Sequence, residues 1–184
     1  NVRIDGNQAI EGAGVYIEDA SGSTIGGTGV GNVIHANGAS GVAVTGEPST
    51  GNRITRNSLA ANTGAGIDLL GVELEDPVDL GDADSGPNDL QNPPAIESAV
   101  YDAGANTVEV AFRVESDPVN ATYPLTVEFF ETDAAGNEGE TFLGSATFTE
   151  TDWMAATPLT AVFTPAAAIA VDDTITATAT DAGG

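Results

Sequence analysis

Residues 32–70 read NVIHANGASGVAVTGEPSTGNRITRNSLAANTGAGIDLL, and the stretch repeats itself. Asn32-Val-Ile-His-Ala-Asn37 returns as Asn52-Arg-Ile-Thr-Arg-Asn57, and Gly41-Val-Ala-Val44 returns as Gly66-Ile-Asp-Leu69. One unit is therefore N-x-I-x-x-N, a turn of variable length, then G-[VI]-x-[VL]. A weaker upstream copy has Ile4 and Asn7 in its first half and Gly14-Val-Tyr-Ile17 in its second. Self-similarity spaced by about 20–30 residues marks an architecture in which each unit is one turn of a coil.

The residue types specify the coil. Apolar residues alternate with others in Val15/Ile17, Val42/Val44 and Ile67/Leu69, which is a strand period and too short for a helix. Stacked in parallel, these alternate residues point into a shared interior, and Tyr16, Ala43 and Asp68 between them form an outer column. Gly and Asn suit the corners because they tolerate left-handed backbone angles, and a stacked Asn can donate to a carbonyl of the adjoining turn. The expectation for residues 1–72 is about three turns of a right-handed parallel β-helix, the end fragment of a longer coil.

Composition narrows the function classes. The 184 residues carry 28 acidic groups against four Arg (3, 53, 56 and 113), no Lys and a net charge of −24. So negative a surface repels phosphate backbones and anionic lipid, which excludes nucleic acid as a partner. It suits a saline or calcium-rich extracellular setting, where cations screen the self-repulsion. Cysteine is absent, so there is no disulfide framework, no thiol nucleophile and no Cys-type zinc site. No run is long enough for a membrane span, and residue 1 opens in mid-repeat, so the chain is expected to continue N-terminally into a longer parent. The Gly-rich run Ser21–Asn32 lacks the lysine of a phosphate-binding loop and reads as a tight corner of the coil. His35, with neither Cys nor a second His to pair with, reads as structural.

From Gly71 the repeat is lost. Residues 73–94 form an acidic linker with Glu73, Glu75, Asp76, Asp79, Asp82, Asp84 and Asp89, ending in Pro93-Pro94. Within it, Asp82-Ala-Asp84-Ser-Gly86-Pro-Asn88-Asp89 sets hard oxygens at alternating positions around a Gly turn, as calcium prefers. Asp79, Asp82, Asp84, Asn88 and Asp89 are the candidate calcium ligands. The match to an EF-hand loop is partial, and the alternative is a solvated acidic linker.

Residues 95–184 read as all-β. Val108, Val110, Phe112 and Val114 share one face, and alternation recurs in Leu125/Val127/Phe129, in Phe142 with Ala146/Phe148, in Leu159/Ala161/Phe163 and in Ile175/Ala177/Ala179. Turn signals separate these runs, as in Asp102–Asn106 and Asp133–Asn137. About six or seven short strands at this spacing suit an Ig-like β-sandwich. Trp153 sits in a turn-like stretch and reads as a packing residue.

Thr24-Ile-Gly-Gly-Thr, Gly31-Asn-Val-Ile-His-Ala-Asn37 and above all Gly81-Asp-Ala-Asp-Ser-Gly-Pro-Asn-Asp-Leu-Gln-Asn92 carry a resemblance. The chain resembles secreted bacterial proteins of CSLREA type with right-handed parallel β-helix repeats, in which the last turn leads through a D-x-D-x-G-x-N-x-L-Q-N segment into an Ig-like domain. The resemblance implies a secreted or cell-surface protein, an adhesin or structural module, and supplies no catalytic residues.

Two functions follow. The first is a non-catalytic extracellular module, a β-helix stalk closed by a β-sandwich that covers its open end and engages an extracellular glycan or a cell-surface protein. The alternative is the C-terminal part of a β-helix polysaccharide lyase or glycoside hydrolase. Hydrolysis needs two carboxylates at a set separation, and Asp68 is a lone carboxylate in its column. A third possibility, a flat carbohydrate- or ice-binding column, would need threonines in register, and the repeats do not supply them.

Overall fold

The computed structural model describes residues 3–5, 12–27, 29, 31–70 and 78–184. Asn7 of the weak upstream copy and Glu73, Glu75 and Asp76 of the acidic linker lie outside the described residues. The fold is all-β and built of small sheets.

Up to residue 70 the strands are β1 (Arg3–Asp5), β2 (Val15–Glu18), β3 (Thr24–Gly26), β4 (Val33–His35), β5 (Val42–Thr45), β6 (Arg53–Thr55), β7 (Ser58–Ala60) and β8 (Ile67–Asp68). Among the described residues they pair in parallel as three sheets, β1-β4-β7, β2-β5-β8 and β3-β6. Val15 stands beside Val42, Val42 beside Ile67, and Ile17 beside Val44. Val42 and Val44 are fully buried, as alternation on a pleated strand requires. With Ile17, Ile34, Ile54, Leu59 and Leu69 they form one continuous apolar core.

The repeat register differs from the one the N-x-I-x-x-N match suggests. Asn32 and Asn37 stack on Asn57 and Asn62, 25 residues further on, rather than on Asn52 and Asn57. The cause is a shorter period inside one turn. Asn52-x-Ile54, Asn57-x-Leu59 and Asn62 put an amide at each corner and an apolar residue two positions later in the core, so consecutive sides of a single turn look alike. Left-handed angles fall on the residue before Asn37, Asn52, Asn57 and Asn62, at Ala36 (φ 55°), Gly51 (φ 67°), Arg56 (φ 55°) and Ala61 (φ 54°). Each amide then reaches back to the copy before it. Asn57 Oδ1 accepts from Asn32 N at 3.0 Å while its Nδ2 donates to Ile25 O at 2.8 Å, and Asn62 does the same with Asn37 N (3.1 Å) and Ile34 O (3.0 Å). Asn52 accepts from Ser23 N (2.9 Å) and donates to Ala20 O (2.8 Å).

Two further expectations change. The run Ser21–Asn32 is more than a corner, since its Thr24-Ile25-Gly26 pairs with β6, Ile25 beside Ile54. Tyr16, Ala43 and Asp68 do align, but only Tyr16 is exposed, at 58%, whereas Ala43 and Asp68 are buried. Asp68 accepts from Leu70 N (2.9 Å), a local turn bond, and from Ser40 Oγ (3.3 Å).

Beyond the connector come β9 (Ala95–Asp102), β10 (Thr107–Arg113), β11 (Leu125–Thr132), β12 (Gly139–Phe148), α1 (Glu150–Ala155), β13 (Leu159–Phe163) and β14 (Ile175–Thr180). Among the described residues they make two antiparallel three-stranded sheets, β13-β10-β9 and β12-β11-β14. Val108, Val110, Phe112, Leu125, Val127 and Phe129 are fully buried in a second core, where Phe112 meets Phe129 edge-on at 5.2 Å. The turn-like stretch around Trp153 is the short helix α1, started by a reciprocal Thr149/Asp152 capping box. Half-buried Trp153 packs on this second core.

The two cores meet across β7 and β12. Phe130 and Phe142 stack edge-on at 5.7 Å on the face of the β12-β11-β14 sheet turned toward the parallel strands, and the Arg56 guanidinium lies 4.6 Å over the Phe142 ring.

Candidate functional site

The connector positions the sequence-predicted ligands. Gly81 (φ 80°) and Asp82 (φ 59°) bend the chain so that carboxylate oxygens of Asp79, Asp82 and Asp84 lie within 4.8 Å of one another. Asp82 is buried and bonded from several sides. Its Oδ1 accepts from Asn92 N (2.8 Å), and its Oδ2 from Ser116 Oγ (2.6 Å) and Gln91 Nε2 (2.7 Å), which ties the connector to the antiparallel half. Asp79 Oδ2 accepts from Ala83 N (2.9 Å). Asp84 Oδ1 is buried with no hydrogen-bond partner.

Burial raises the Asp82 carboxyl above its ordinary range, the Ser116 and Asn92 bonds work against that, and the charges of Asp84 and Asp79 add to it. Burial and the Asp79 charge raise Asp84 as well. Three hard carboxylates that repel one another, one with an unpartnered buried oxygen, have the chemistry of a divalent-cation site.

Asn88 and Asp89 lie elsewhere. Pro87–Leu90 is a tight turn in which Asn88, Asp89 and Leu90 all take left-handed angles. That turn inserts buried Leu90 into the parallel half's core and sets Asn88 on Asn52, where Asn88 Oδ1 accepts from Asn52 N (3.0 Å) and Nδ2 donates to Asn52 O (2.6 Å). Asn88 thus continues the amide column Ser23–Asn52 by one place. Asp89 is exposed, and its carboxyl is raised by partial burial and by the charge of Asp181.

At the other corners carboxylates take the corresponding donors. Glu128 on β11 accepts from Arg56 N (2.9 Å) and Thr55 Oγ1 (2.8 Å). Asp133 accepts from Ala61 N (3.1 Å). Glu138 accepts from Asn62 N (2.8 Å) and Asn62 Nδ2 (2.7 Å) through its two oxygens. In the copy before, Asn37 N and Nδ2 give those two bonds to Asn62 Oδ1. Glu138 therefore holds the Asn62 donors as Asn62 holds those of Asn37.

All three acceptors are buried. Burial raises Glu138, opposed by its two Asn62 bonds. Burial also acts to raise Asp133, but N–H bonds from Ala61, Asn137, Glu138 and Gly136 outweigh it and hold the carboxyl below the usual range.

No protein-family model, curated protein or solved structure matches this chain. The carboxylate row was missed in the sequence because Glu128 reads as an ordinary outward residue of an alternating strand. The available signal was Phe129-Phe130: adjacent large apolar residues on one strand require both faces of the sheet to be covered.

Proposed function

We propose that the chain is a non-catalytic extracellular or cell-surface structural or adhesion module. Residues 1–72 wind as the end of a right-handed parallel β-helix, and residues 95–184 form an Ig-like β-sandwich that caps it, as the resemblance to CSLREA-type proteins implies. The observation that carries this reading is the placement of Glu128, Asp133 and Glu138 on donors that a further turn would otherwise take. An open coil end exposes unpaired backbone, a template for unwanted strand pairing, so closing it is a function in itself. The net charge of −24 and the lack of Lys and Cys favour an extracellular setting. No described helix is long and apolar enough to cross a membrane.

A calcium ion held by Asp79, Asp82 and Asp84 would brace the connector where Asp82 joins Ser116. Amide hydrogen exchange on E128A/D133A/E138A tests the cap. Loss of protection at Arg56, Ala61 and Asn62 is expected, and unchanged protection there removes the reading.

A further inference from the structure

What the acceptor row holds is in part what the preceding copy also offers. Glu128, Asp133, Glu138 and Asn88 take backbone N–H groups of Arg56, Ala61, Asn62 and Asn52, plus one Asn amide. One copy earlier the corner Ala36–Asn37, with the same left-handed first residue, sends Ala36 N to Ala60 O (3.1 Å) and Asn37 N to Asn62 Oδ1 (3.1 Å). These are the same two donors, aimed the same way. The side-chain contacts peculiar to the last turn include the Thr55 hydroxyl on Glu128, and Arg56, whose Nε is 3.5 Å from Glu128 and whose guanidinium lies over the Phe142 ring. The Arg56 side chain is 31% exposed, so solvent weakens that ion pair.

We propose that this row is a docking surface for the end of a parallel coil as a class. Its partner is any turn with a corner of a left-handed residue followed by Asn, as at Ala36–Asn37 and Ala61–Asn62, and this particular turn has no privilege. The inference rests on the cap reading and extends it: the cap would seat equally well on Ala36–Asn37, so it does not set the length of the coil it closes. Paired backbone donors at a bend attract a carboxylate whatever side chains flank them, because the charge-assisted bond is made to the main chain.

Two changes in the whole chain test this, each made with and without E138A and followed by thermal unfolding. R56G/S58V/L59I rewrites residues 56–62 as the preceding Gly31–Asn37 with only the His35 position left different. Deletion of residues 38–62 removes one 25-residue period and brings Ala36–Asn37 to the place of Ala61–Asn62. In the parent chain E138A is expected to lower Tm by about 5–10 °C, since two buried donors lose their acceptor. The same drop is expected in both altered chains.

A drop that is present in the parent but vanishes in R56G/S58V/L59I, or in a deletion protein that still folds, overturns the proposal while sparing the cap, which would then be reading side chains. No drop in the parent sinks the cap reading itself. Should the deletion protein not fold, R56G/S58V/L59I decides alone, and its own failure to fold also counts against the proposal, because the coil already accommodates that turn.

Discussion

Glu138 shows how much can hang on one carboxylate. Its two oxygens serve two donors of Asn62, so Glu138→Ala strips the acceptor from the buried Asn62 backbone N–H and from one of its two amide hydrogens and should cost about 2–4 kcal/mol in urea denaturation. Glu138→Gln keeps one oxygen but turns an NH2 toward the other donor, and about half of that loss is expected. Acid separates two neighbours by sign. Asp133 is lower in the folded chain than its ordinary 3.8, so its contribution is complete above that pH and is lost as pH falls through the lowered value. Glu138 is raised, so folding takes up a proton there and its contribution grows as pH falls through the raised value. Stability measured against pH should therefore hold or rise on mild acidification and fall below about 3.8, and D133N should remove part of that fall. A curve for D133N that matches the parent below 3.8 would contradict the assignment. None of this was readable beforehand: Asp133 sits in a turn signal and Glu138 beside it, and the sequence says nothing of what lies opposite.

Among the elements, the parallel strands were the most legible and their stacking the least. Val42 and Val44 announce their burial by alternation with β-branched residues, whereas the turn-to-turn match was hidden by a corner motif used more than once per turn. Gly31 illustrates what that hides. A Cβ there would sit 1.6 Å from the Arg56 carbonyl oxygen, in the turn stacked upon it, and backbone cannot move aside as a flexible side chain can. Gly31→Ala should destabilise by about 2 kcal/mol or more, through separation of β4 from β7, as overpacked interior sites do. A thermal melt unchanged by G31A would mean that the stacking here is looser than described. The connector was legible in composition only. Asp79, Asp82 and Asp84 converge as their spacing suggested, while Asn88 obeys a different rule, the amide column it extends.

For the whole molecule the dominant quantity is charge. With net charge −24, the carboxylates of the connector sit in a field that disfavours them, and a cation is the cheapest relief. If calcium binds the folded chain at Asp79, Asp82 and Asp84, millimolar calcium must raise Tm relative to EGTA, and D84N must abolish the rise. A Tm indifferent to calcium removes the metal and leaves the carboxylate row untouched, since the two involve different residues.

The amide columns, finally, give the stack a direction. Asn57 and Asn62 turn their side-chain oxygens to the backbone N–H of the Asn before them in the pile, and Asn62 gives its own backbone N–H to what comes after. At these corners the main-chain hydrogen faces up and the amide oxygen that meets it faces down. Carboxylates suit the upper landing because main-chain hydrogens wait there, and whatever meets the amide oxygens of the lower one has to arrive with hydrogens of its own, on amides or guanidinium groups.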